Sequence, residues 1–236
     1  MRALIAPVNN VRMLQRSADA LSTRAPGTPG MSAVVGRAGT GKTKAGLWLT
    51  NRTNAVCVRA YRLWSPTWMT IMQELGLAPM KRVATMMDRI IEELMISRRP
   101  LIIDEFDYVV ENSRLLDTIR DIHDMATVPI IVLGEEKLPE KLRHRERFYG
   151  RVANWVRFGP ASIRDARTLS DAVCEVGVED DLISKLHAET AGSMRMMTTG
   201  LAAIERHGIQ QGLKAVSLSD WGDRSSTPRQ PKWRKM

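Results

Sequence analysis

Residues 36–43, Gly36-Arg37-Ala38-Gly39-Thr40-Gly41-Lys42-Thr43, constrain this chain more than any other stretch. They read G-x-x-x-x-G-K-T, the spacing of a phosphate-binding loop. Glycines let successive backbone N–H groups turn inward, where they face phosphate oxygens. Lys42 supplies a cation for the outer phosphates, and Thr43 supplies a hydroxyl for Mg²⁺ carried by a nucleotide such as ATP. Such a loop must follow a buried strand and open a helix. Met31-Ser32-Ala33-Val34-Val35 has the composition of that strand, and Lys44-Ala45-Gly46-Leu47-Trp48-Leu49 that of the helix.

A second stretch agrees with the first. Leu101-Ile102-Ile103 is an apolar run without alternation, as in a strand buried on both faces of a parallel sheet. It ends in Asp104-Glu105. Ligands of such sheets bind at the carboxyl ends of the strands. Asp104 is therefore expected to hold the Mg²⁺, and Glu105 to act as general base on the attacking water.

The pattern alternates through the first 160 residues. A helix is expected over 7–24, with Val11, Leu14, Ala18 and Leu21 on one face. Strands are expected at Ala55–Ala60, Val128–Leu133 and Trp155–Phe158. Helices are expected from Ser65-Pro66 to Gly76, then at 81–97, 111–126 and 137–151. This is an α/β chain with a parallel sheet flanked by helices. From 162 on, helices are expected at 162–176, 179–191 and 193–207, forming a small all-helical lid. The expected domains are 1–160 (phosphate loop), 161–218 (lid) and 219–236 (tail). The tail stretch 223–236 has Arg224, Arg229, Lys232, Arg234 and Lys235 against Asp223, and reads as a disordered basic segment.

The net charge is +9, from 35 Lys and Arg against 26 Asp and Glu. That balance favours a polyanionic partner, duplex DNA first. Arg59, Arg62, Lys81 and Arg82 are the candidate contacts. Cys57 and Cys174 read as buried thiols of a reducing compartment, and the four histidines make no metal-ligand spacing. No apolar run approaches a membrane span, and Met1–Ala6 is too short for a signal peptide, so a cytoplasmic location and no membrane partner are expected.

A phosphate-loop sheet followed by a helical lid resembles the AAA+ ATPases. Gly192-Ser193-Met194-Arg195 is similar to their sensor-2 motif, G-x-x-R, whose arginine reaches the γ-phosphate. Arg147-Phe148 and Arg151 lie where this superfamily carries the arginine finger given to a neighbouring subunit. Trp64-Ser65-Pro66, followed by a helix ending in Leu75-Gly76, resembles the transposition regulators: phage Mu B, TniB and TnsC. The fourth strand ends in Leu133-Gly134-Glu135, where many AAA+ proteins place a polar sensor-1 residue. The resemblance implies an ATPase that assembles as a homo-oligomer or filament on target DNA and recruits and activates a transposase. A replication helicase loader is the first alternative. The second is a small-molecule kinase, which the Asp104-Glu105 pair and the lid disfavour. The third is a non-hydrolysing DNA binder, against which Glu105 argues.

Overall fold

The computed structural model describes residues 1–61, 64–78 and 80–226, with backbone alone at 64–66. The elements in chain order are α1 (Asn9–Ser22), β1 (Met31–Gly36), α2 (Lys42–Thr53), β2 (Val56–Arg59), α3 (Trp64–Glu74), α4 (Val83–Ser97), β3 (Leu101–Asp104), α5 (Asp107–Val110), α6 (Ser113–Ala126), β4 (Ile130–Gly134), α7 (Leu138–Arg143), α8 (Glu146–Tyr149), β5 (Val152–Phe158), α9 (Ile163–Val173), β6 (Gly177–Val178), α10 (Asp180–Thr190), α11 (Met194–Gln210), β7 (Ala215–Val216) and α12 (Leu218–Trp221). They form two compact units. One comprises residues 11–38 and 42–158, and the other residues 1–10, 39–41 and 159–236.

The first unit is built on a parallel five-stranded sheet of order β2-β3-β4-β1-β5. Its middle strands are apolar on both faces because helices cover both. Every residue of β1, β3 and β4 is buried. Register brings the carboxyl ends together: Val35 is level with Gly134, and Arg59 with Asp104. The helices contribute apolar stripes to the core. Met86, Ile90, Ile91 and Leu94 do so from α4, and Leu115, Leu116, Ile119 and Ile122 from α6. Each such side chain contributes about 1.5–3 kcal/mol on full burial. α6 starts where Asn112 caps it, its side chain accepting from the N–H groups of Arg114 and Leu115.

Three local features depart from the pattern reading. A separate turn, α5, follows β3. The basic stretch 137–151 is two short helices, broken where Arg145 leaves helical geometry at φ −117°, ψ 61°. β5 begins three residues earlier than expected, because Met31 N–H donates to the Arg151 carbonyl and starts the pairing there.

In the second unit, α9 opens with a capping box between Ser162 and Asp165. Its helices pack through Leu169, Val173, Leu182, Leu186, Met197, Leu201 and Ile204. Besides the expected helices it carries a two-residue parallel pair, β6 with β7. Within the stretch read as tail, Trp221 and Ser226 are buried, and Ser226 N–H donates to Glu189 at 2.8 Å. Residues 227–236 lie outside the described residues, and with them Arg229, Lys232, Arg234 and Lys235.

Candidate nucleotide site

In the sheet unit, β1 ends at Gly36 and α2 opens with Lys42 and Thr43. Lys42 Nζ donates to the carbonyls of Gly36 at 2.6 Å and Arg37 at 3.1 Å, so the ammonium folds back over its own loop. Burial pushes the Lys42 pKa below the usual lysine value, against the opposing pull of Asp104, Glu105, Asp107 and Glu135. Thr43 Oγ1 donates to Asp104 Oδ2 at 2.7 Å. Asp104 is buried at the last position of β3. Its other oxygen accepts the Glu105 N–H at 2.9 Å.

Glu105 has φ +56°, a left-handed conformation that a side chain adopts at a cost of about 1–3 kcal/mol. Its neighbours hold it there. The Asp104 carbonyl accepts Ala60 N–H, and Phe106 N–H donates to Leu133, so both flanks are tied to strands. Glu105 Oε1 is 3.0 Å from Arg59 Nη2. Arg59, a candidate DNA contact on sequence, is thus partnered with the candidate base. The pair uses one guanidinium nitrogen, and the Arg59 side chain stays 65% exposed.

The middle of the loop belongs to the second unit. Gly39 and Gly41 have φ +85° and +92°, which l-residues with a Cβ rarely adopt. Thr40 is buried between them. Asn10 Nδ2 donates to the carbonyls of Thr40 at 3.2 Å and Gly159 at 2.9 Å. Arg195 N–H donates to the Gly39 carbonyl at 3.2 Å, and its side chain is exposed. Asn10 escaped the sequence reading, since a lone asparagine at a helix start reads as a cap. Of the expected loop, Gly36, Arg37, Ala38, Lys42 and Thr43 belong to the sheet unit, and Gly39, Thr40 and Gly41 to the second. Arg37 also pairs with Glu136 at 3.6 Å.

The donor set suits Mg²⁺. A hydroxyl and a buried carboxylate, mutually bonded, are hard oxygen ligands. No group of three or more His, Cys, Asp or Glu side chains among the described residues could hold a metal alone. Mg²⁺ needs no such cage when phosphates share its coordination.

The two finger candidates differ. Arg151 makes a two-point pair with Asp124, at 3.1 and 2.7 Å, and donates to the Arg147 carbonyl at 2.7 Å. Asp124 also meets His123 Nδ1 at 2.8 Å, and His123 Nε2 lies 3.2 Å from the Gly30 N–H. Arg151 is therefore a brace at the amino ends of β1 and β5. Arg147 is exposed on α8. Lys81 and Arg82 are exposed before α4, without a bond to the site residues. Arg62 lies outside the described residues.

Among the described residues no helix is long and apolar enough to cross a membrane. The chain is similar in fold to three solved structures. They are the ORC2 protein of Aeropyrum pernix in ADPNP–ADP complexes (13% identity, TM-score 0.67), the ORC1 protein of Aeropyrum pernix in complex with DNA (14%, 0.62) and Cdc6p from Pyrobaculum aerophilum (16%, 0.64). The alignments cover 93%, 93% and 89% of this chain, and 68%, 64% and 64% of those proteins, so the chain spans about two thirds of their length. No curated protein matches it. The AAA domain family model matches residues 24–142, just over half the chain. With the phosphate loop, the acid-ended β3 and the parallel sheet in place, the chain belongs to the AAA domain family.

Proposed function

We propose that this protein is an ATP-hydrolysing, non-sequence-specific DNA-binding protein that assembles as a homo-oligomer or filament on duplex DNA and there recruits and activates a transposase, as regulators of the Mu B, TniB and TnsC type do. The observation that carries the hydrolytic part is Thr43 Oγ1 at 2.7 Å from Asp104, with Glu105 beside it in a strained conformation. The loop 36–43 takes the phosphates of ATP, and Lys42 leaves its carbonyl partners for them. Thr43 and Asp104 would hold Mg²⁺, which supplies positive charge against the phosphate oxygens. Water attacks the γ-phosphorus, the bond to the β-phosphate oxygen breaks, and Glu105 takes the water's proton. Arg195 senses the γ-phosphate in the same chain. An arginine of the neighbouring subunit, Arg147 or Arg151, completes the site, and the exposure of Arg147 favours it.

The units of action proposed are 1–160 for ATP, 161–218 as lid and 219–236 as basic tail. The +9 charge supports a polyanionic partner, with Arg62, Lys81 and Arg82 offered to DNA. Arg59, paired through one nitrogen with Glu105, is offered with them. A second reading is a replication initiator or helicase loader. The likeness in fold to ORC and Cdc6 proteins supports it, one of them solved in complex with DNA. Co-purification with a replicative helicase rather than a transposase selects this second reading.

Lys42→Ala tests the shared premise. The side chain serves the loop and not the core, so the variant should fold and melt as the wild type does. Titrated with a fluorescent ATP analogue, it should bind at least about tenfold more weakly, the loss expected when a charged hydrogen-bond donor is removed. Wild-type affinity and turnover would remove Lys42 from the site.

A further inference from the structure

Asp107 is buried on α5, three residues after Asp104. Its Oδ2 accepts the Glu135 N–H at 2.6 Å, and its Oδ1 accepts from Lys141 Nζ at 3.0 Å. These bonds join the end of β3 to the end of β4 and to α7. Gly134 shows how completely Asp107 fills that place. A Cβ there would stand 2.8 Å from Asp107 Oδ2 and 2.6 Å from the Leu138 side chain. A side chain grown from β4 at this position is therefore excluded, and the polar group beside the strand end comes from α5. The Glu135 side chain, one residue on, is exposed.

The same segment carries Glu105. Its left-handed backbone lies between two anchors, Asp104 before it and Phe106-Asp107 after it. Phe106 also packs on Phe148 of α8, with ring centroids 5.3 Å apart. If the anchor after Glu105 yields, the left-handed backbone loses part of what holds it in a conformation it would otherwise leave.

We infer that Asp107, with Lys141 as its counter-charge, is a positioning residue for ATP hydrolysis: it locks the turn after β3 to the end of β4, so that the Glu105 carboxylate stays where water must be activated. The inference rests on the hydrolytic reading above. The hydrogen bond to Asp107 holds the Lys141 ammonium above the usual lysine pKa, so the ammonium stays charged through the neutral range. The ammonium is therefore a permanent feature of the latch.

The test uses the full chain. Asp107→Asn keeps the shape and an acceptor for Glu135 but turns an uncharged amide toward Lys141. ATP turnover should fall about 10- to 100-fold, the range expected when a reacting group is misplaced by a fraction of an ångström to an ångström. Binding of the fluorescent ATP analogue should change by less than about threefold, since the hydrogen bonds of the Asp107 side chain go to Glu135 and Lys141 and not to the phosphate loop. Lys141→Ala should lower turnover in the same sense, and Lys141→Arg should restore most of it. A purely structural role predicts a different pattern, with melting temperature, binding and turnover lost together and no rescue by arginine. That pattern, or turnover within twofold of wild type in folded Asp107→Asn, would overturn the inference. Hydrogen exchange of the Glu135 amide tests the latch without any turnover. Exchange should accelerate about tenfold or more in Asp107→Ala, which removes the acceptor, and an unchanged rate would refute the latch. If the wild type binds ATP and never hydrolyses it, the hydrolytic reading fails, and the exchange result alone decides whether the latch exists.

Discussion

Glu105→Gln should bind ATP as the wild type does and hydrolyse it about 10²–10⁴-fold more slowly, the contribution of a positioned general base. Glutamine matches glutamate in size, so the turn between Asp104 and Phe106 should survive, and an amide oxygen can still accept from Arg59. What disappears is the proton acceptor. Phosphate release measured at saturating ATP isolates that step from binding. If hydrolysis drives disassembly, the variant should also stay on duplex DNA longer than the wild type, read as a slower off-rate after ATP is withdrawn. Turnover within tenfold of wild type would mean another group activates the water.

The second large effect separates the two finger candidates. Arg147→Ala should fold normally and bind ATP, because its side chain is exposed and its own loop is untouched. Hydrolysis should fall about 10³-fold or more, the usual worth of an arginine finger. Mixed with Glu105→Gln subunits it should regain part of the activity, since some interfaces then pair an intact Glu105 with an intact Arg147. Arg151→Ala should behave otherwise. Arg151 holds the Asp124 carboxyl below the usual carboxylate range, chiefly through their hydrogen bond. A carboxylate whose folded pKa is depressed stabilises the fold above its unfolded pKa, and that contribution fades as the pH falls. Removing Arg151 should therefore lower the melting temperature near neutral pH and narrow the gap to wild type in acid. Recovery of mixed activity with Arg151→Ala, and none with Arg147→Ala, would move the finger to Arg151.

The parts legible in the sequence are those whose chemistry is local. The glycine spacing of 36–43 announces a loop because only that spacing turns the backbone N–H groups inward. The run 101–103 announces a buried strand because it is apolar without alternation. Contacts formed by the fold were not legible. Arg59 looked like a free cation because Glu105, 46 residues away, becomes its neighbour only through the β2–β3 register. Asp107 belongs to no motif, and its bonds to Glu135 and Lys141 span 28 and 34 residues. Arg147 and Arg151 share a motif position and a charge, and only the placement of Asp124 tells brace from open cation. The pair β6–β7 was missed for a related reason. Strands of two residues have no periodicity to read, and theirs is set by the parallel pairing of 177–178 with 215–216.

Fluorescence anisotropy of labelled duplex DNA tests the central claim most directly. Two unrelated sequences would be titrated with the wild-type protein in ATP, in ADP and without nucleotide, each over a range of salt. The account predicts binding that is tight only with ATP and equal for the two sequences. It should weaken with salt at a log–log slope of about −4 to −7, as expected if about five to eight phosphates are neutralised per binding unit. Binding indifferent to nucleotide, a strong preference for one sequence, or a flat salt response would contradict it.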